Sequence, residues 1–137
     1  MSCASRGRRG TAAAELAVLL PFLALVFVGG LDFARVFYHA LTITNCARNG
    51  AVYGSIDPTH AADTAGIQAA ALADASNLSP SPNVTSAAGT DADGNPTVQV
   101  TVTYDFQMLT QFLTNGGTFH LVRTVEMRVA PVLPKNS

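Results

Sequence analysis

Residues 16–31 contain no charged side chain, and Pro21 is the only residue there that is neither apolar nor Gly. Extended back to Thr11, the segment has 21 residues, or about 30 Å of helix at ~1.5 Å per residue, which is one bilayer crossing. Arg6, Arg8 and Arg9 stand immediately before it. Basic residues on one flank hold that end in the cytoplasm, so the remainder is expected outside. The run thus predicts a single-pass chain, N-terminus inside and C-terminal domain outside.

One residue does not suit this segment. Glu15 lies near its start, and a carboxylate in a membrane helix costs about 2.5–3.5 kcal/mol at mid-bilayer and less towards an end. Gly10 stands five residues earlier. A cut after Gly10 would leave an amino group on Thr11 within one to one and a half turns of Glu15, free to pair with it in the same chain or a neighbouring one. This arrangement of Gly, cut and fifth-position Glu resembles the processing site of type IV prepilins and pseudopilins. Two rivals stay open: a plain signal anchor with a Glu near the interface, and a secretory signal peptide cut near Val28-Gly29-Gly30.

The helical period does not stop at Leu31. Phe33, Val36, Phe37, Ala40, Leu41, Thr44, Ala47 and Ala51 recur at three- and four-residue steps, and are expected to face inward. One helix over residues 11–54 would be about 66 Å long, with Pro21 as its expected kink. A break at Gly29-Gly30 is the alternative.

Residues 9–54 resemble the N-terminal signature of the TadE-like family, pseudopilins of the tight-adherence (Flp) pilus systems. The resemblance is carried by Arg9-Gly10, Glu15, Pro21, Asp32-Phe33-Ala34-Arg35 and Asn45-Cys46-Ala47-Arg48-Asn49-Gly50-Ala51. Ala34 stands where Gly is commoner and Cys46 where Ala is commoner, both small for small. The resemblance implies cleavage after Gly10 by a prepilin peptidase, with Gly10, Thr11 and Glu15 as processing residues. It assigns Asp32, Arg35, Asn45, Arg48 and Gly50 structural roles. The implied partners are the peptidase, other pilins or pseudopilins, the pilus assembly machinery and membrane lipid.

The expected fold is α+β and pilin-like. Residues 1–10 form a basic leader, 11–31 a transmembrane helix, and 32–137 an outer domain. In that domain helix 32–54 continues the anchor. Asp57-Pro58 opens a second, Ala-rich helix over 58–76, with Ala61, Ala65, Ala69, Leu72 and Ala73 inward. Residues 83–87 form a short strand. Residues 97–106 are the clearest strand: Val98, Val100, Val102, Tyr104 and Phe106 alternate with polar residues. A further strand over 118–129 turns Phe119, Leu121, Val125, Met127 and Val129 inward, with Arg123 at the sheet rim or paired with Asp105.

Charge and composition narrow the function. Removing residues 1–10 takes three of the eight basic residues and none of the nine acids, leaving five against nine, net −4. That balance gives no footprint for nucleic acid. His39, His60 and His120 are scattered without ligand spacing. Asp91-Ala92-Asp93-Gly94-Asn95 departs from a calcium loop in its Gly position and its missing Glu, and reads as a hairpin turn. No cofactor, metal or catalytic residue is assigned, and Cys46→Ser is expected to be nearly neutral. The alternative function is a secreted or signal-anchored small envelope binding module.

Overall fold

A computed structural model describes residues 6–112 and 118–131. Helix α1, Arg6–Gly54, runs 49 residues with Pro21 inside it and continues through Gly29-Gly30 without a break. It begins at Arg6, within the segment expected to be the leader. Two short helices follow, α2 (Pro58–Ala62) and α3 (Thr64–Leu72), then a 3-10 turn, Ala73–Ala75. The strands are β1 (Asn83–Thr90), β2 (Pro96–Gln107) and β3 (Thr118–Arg128), with a 3-10 turn, Leu109–Phe112, between the last two. They form an antiparallel sheet in the order β1-β2-β3. The fold class is α+β.

The expected helix 58–76 is therefore interrupted, and Asp63 is the reason. Its Oδ1 accepts the Gly66 N–H at 2.9 Å and its Oδ2 accepts the Tyr53 hydroxyl at 2.9 Å. A short acidic side chain that binds the next turn's backbone starts a new helix rather than continuing the old one. The break resets the helical phase. The buried stripe becomes Ile67, Ala71 and Ala75, while Ala65, Ala69 and Ala73 are exposed. Asp57 caps α2, its Oδ1 accepting the Thr59 N–H at 2.8 Å and the His60 N–H at 2.9 Å, with Pro58 in the first turn.

β2 supplies the sheet's half of the core. Val98, Val100, Val102, Tyr104 and Phe106 are all buried, as their alternation requires. On β3, Leu121 is buried and Val125 and Met127 are half-buried, but Phe119 is 43% exposed. Of the two expectations for Arg123, the sheet rim or a pairing with Asp105, the pairing is absent and the side chain is exposed. Asp105 stands opposite His120 and meets its Nδ1 at 2.6 Å, whereas Arg123 stands opposite Val102. Asp105 and Val102 differ by an odd number of residues, so the two side chains leave opposite faces of the sheet. β1 runs to Thr90, beyond the expected 83–87; its outer end is small and exposed, and its pairing with β2 holds it in place. Asp91 closes the β1–β2 hairpin by accepting the Asn95 N–H at 2.8 Å, and Gly94 takes φ 83°, a left-handed conformation suited to glycine.

The face that the helix buries overlaps the expected one but is rotated away from its large members. Val36 and Ala40 are half-buried and Ile43, Cys46, Ala47 and Ala51 are buried, but Phe33, Phe37 and Leu41 are 75%, 60% and 52% exposed. Near its C-terminal end the helix packs closely: a Cβ on Gly50 would lie 3.1 Å from Ala71 Cβ and 3.2 Å from Val100 Cγ1, so a larger residue does not fit at that position.

Candidate functional site: the bare half of the long helix and its Asp32 anchor

From Gly10 to Leu31 every residue of α1 is exposed except half-buried Val28. Ten large apolar side chains between Leu16 and Leu31 are each at least 42% exposed. Burying such surface is worth about 25 cal/mol per Å², so a contiguous bare patch of this size marks a contact with lipid or protein. α1 from Gly10 to Gly54 is the one helix among the described residues long and apolar enough to cross a membrane. Gly10, Thr11, Glu15 and Pro21 all lie on this projecting half, and Glu15 is exposed. A Cβ on Gly10 would meet nothing within 4 Å. Contacts within the described chain thus do not require glycine there, and it costs a helix about 1 kcal/mol relative to Ala.

Asp32 marks the point where the helix joins the domain. It is 4% exposed, between the exposed Leu31 and Phe33. Its Oδ1 accepts the Leu109 N–H at 2.7 Å, and its Oδ2 accepts both the N–H and the hydroxyl of Thr110, each at 2.7 Å. These N–H groups open the 3-10 turn after β2 and have no partner within that turn. A carboxylate from α1 therefore caps a turn 77 residues further along the chain. Burial pushes the Asp32 carboxyl up, but the Leu109 and Thr110 donors with Arg35 outweigh it, and the group titrates below the usual carboxylate range.

Arg35 sits one turn on. Its guanidinium is 3.6 Å from Asp32 Oδ1 and 4.8 Å from the centroid of the Phe106 ring, so it joins the acid to the end of β2. His39 continues the row, its ring 5.2 Å from that of Tyr104 and 4.9 Å from that of Phe106. Burial, with Arg35 nearby, lowers its pKa below the ordinary 6.5.

The later motif residues divide in two. Gly50 is buried at the crossing of α1, α3 and β2, while Asn45 and Arg48 are exposed. Sequence reasoning missed Leu109 and Thr110, the partners of Asp32, because no period or local spacing links them to it. Among the described residues, no three His, Cys, Asp or Glu side chains converge as metal ligands would.

A protein-family model described as TadE-like protein matches residues 10–52. The N-terminal segment of the chain is similar to TadE-like proteins. The match covers most of α1, from Gly10 through the Asp32 anchor to the close crossing at Gly50. The TadE-like family is a structural family associated with pilus assembly. Searches of curated proteins and of solved structures found no match.

Proposed function

We propose that this chain is a pseudopilin, a minor subunit or initiator of a tight-adherence pilus. Residues 1–10 are its leader, removed by a prepilin peptidase after Gly10. Residues 11–31 cross the cytoplasmic membrane, with Arg6, Arg8 and Arg9 on the inner side. Residues 32–137 form the outer domain. The observation that carries this reading is the TadE-like match on an unbroken helix whose first half is bare and whose second half is built into a folded domain. Such a helix can leave the bilayer as a unit and enter a fibre without refolding the domain. Gly10 supports the processing step by its place, five residues before Glu15 and at the end of the basic leader.

In this reading Glu15 neutralises the amino group that cleavage creates, on its own Thr11 or on that of a neighbouring pilin. The other partners are pilins, the assembly machinery and membrane lipid. Its role is structural and non-catalytic.

The test is the mass and N-terminal sequence of the membrane-extracted protein from its native host. The expected chain begins at Thr11. A start near Leu31 would make the protein a secreted domain and remove the role given to Glu15. An intact start would leave a membrane anchor without prepilin processing.

A further inference from the structure

The outer half of α1 carries a second face that stays exposed among the described residues, with Asn77 donating a hydrogen bond to the Tyr38 hydroxyl at its edge. Ala34, Tyr38, Leu41, Asn45, Arg48 and Val52 follow one another at steps of four, three, four, three and four residues, and all six are exposed. Tyr38, Leu41 and Val52 are each about half exposed, at 51%, 52% and 49%. This is the 3.5-residue spacing of a coiled-coil seam. It lies opposite the face that the domain buries, where Asp32, Ile43, Cys46 and Gly50 sit. Phe37, 60% exposed, borders the seam.

Lipid does not reach most of this face. If the hydrocarbon ends near Leu31, Phe37 stands about 9 Å above it, Leu41 about 15 Å and Arg48 about 25 Å. The headgroup layer is only about 5–8 Å deep, and a tilt of ~20° lowers these heights by about 6%. Phe33 lies within that layer, whereas Leu41 and Val52 stand in water unless protein covers them. Because the exposed face continues down the same helix into the membrane segment, a partner that follows it must leave the bilayer beside α1.

The polar members select among partners. In a parallel, in-register pair of identical helices Asn45 meets Asn45, a tolerated contact that fixes register. Arg48, however, would meet Arg48, and like charges across a helix seam repel. We propose that this seam docks the helix of a different single-span subunit, parallel to α1, with a carboxylate opposite Arg48 and a hydrogen-bonding side chain opposite Asn45. The inference rests on the membrane-spanning pseudopilin reading and adds to it the kind of partner and the face that partner meets.

The charge rule can be tested with the chain itself. The full-length protein and its R48E variant, each labelled at the C-terminus with a donor or an acceptor, are mixed in lipid vesicles and energy transfer is measured. The membrane segment is common to every mixture and sets one background. The unaltered chain mixed with R48E should associate about two- to fivefold more strongly than either does with itself, the range of a partly exposed charge pair. L41D should abolish the difference while circular dichroism stays unchanged, because Leu41 is exposed. Equal transfer in all mixtures would overturn the seam. Strongest transfer for the unaltered chain with itself would overturn the heterotypic partner and make a second copy the occupant. Neither result depends on cleavage at Gly10, so the processing reading stands or falls separately on the N-terminal sequence.

Discussion

Asp32 holds Thr110 by two bonds to one oxygen: Oδ2 accepts both its N–H and its hydroxyl at 2.7 Å. With the bond from Leu109, this fastens the base of the long helix to the connection between β2 and β3. Asp32→Ala leaves three donors without their acceptor, and Asp32→Asn keeps one acceptor oxygen but sets an NH2 against the other backbone N–H. Both variants should lower the melting temperature of the outer domain and open residues 107–110 to protease. Thr110→Val removes the hydroxyl bond alone and should cost less, about 1–2 kcal/mol. Unchanged melting in all three variants would remove the anchor role.

The titrating groups give stability two acid-sensitive windows. His39 has a folded pKa below its ordinary 6.5, so the unfolded chain takes the proton first and stability falls as pH drops below about 6.5. Below the ordinary carboxylate value of 3.8 a second loss begins. Burial raises the Asp32 carboxyl, but hydrogen bonds from Leu109 and Thr110 depress it overall. The Thr59 hydroxyl depresses Asp57, the Gly66 N–H depresses Asp63, and the Asn95 N–H depresses Asp91. Their contribution is present above pH 3.8 and disappears as each is protonated. Melting curves from pH 8 to pH 2.5 should show both steps, and His39→Phe should remove only the upper one.

Gly50 tests the close approach of α1 to α3 and β2. A Cβ there already lies 3.1 Å from Ala71 and 3.2 Å from Val100, so Gly50→Leu must push the helix off the sheet. The expected loss is about 1–3 kcal/mol, read as a lower melting temperature. At Gly30 a Cβ meets nothing within 4 Å, so Gly30→Leu should leave the outer domain's melting unchanged.

Cys46 departs from the expectation of near-neutral replacement by Ser. It is fully buried in the core beside Ala47 and Ile43. A hydroxyl at that site is cut off from water, and its available acceptor is a carbonyl one turn back on the same helix. Cys46→Ser should cost about 1–2 kcal/mol in thermal unfolding, and replacement without loss would restore the simpler view.

Legibility followed the range of each signal. β2 could be read from sequence because five large apolar residues alternate with polar ones, and the sheet buries all five. The existence of α1 was equally plain. Which side it buries was not, because hydrophobicity placed Phe33, Phe37 and Leu41 inward, whereas the domain covers the side that carries Asp32, Ile43, Cys46 and Gly50. Asp63 ends a helix that Ala-rich composition alone predicts as continuous. The bond from Asp32 to Thr110 spans 78 residues and leaves no trace in local pattern, so a motif acid could be noticed but its partner could not.

Gly10 and Glu15 separate processing from simple anchoring. Gly10→Leu changes no packing contact, because the space around that position is open. On physical grounds it should even favour the helix by about 1 kcal/mol. Glu15→Ala removes a carboxylate whose burial in a membrane costs up to about 2.5–3.5 kcal/mol, so it should ease insertion. A plain anchor would therefore tolerate or benefit from both changes. A pseudopilin should suffer from them: uncut chain accumulating in the membrane for Gly10→Leu, and impaired processing, pilus assembly or both for Glu15→Ala. Mass spectrometry of the membrane fraction and pilus counts by electron microscopy read the two effects. Normal cleavage together with normal pilus number in both variants would leave the helix as an anchor only.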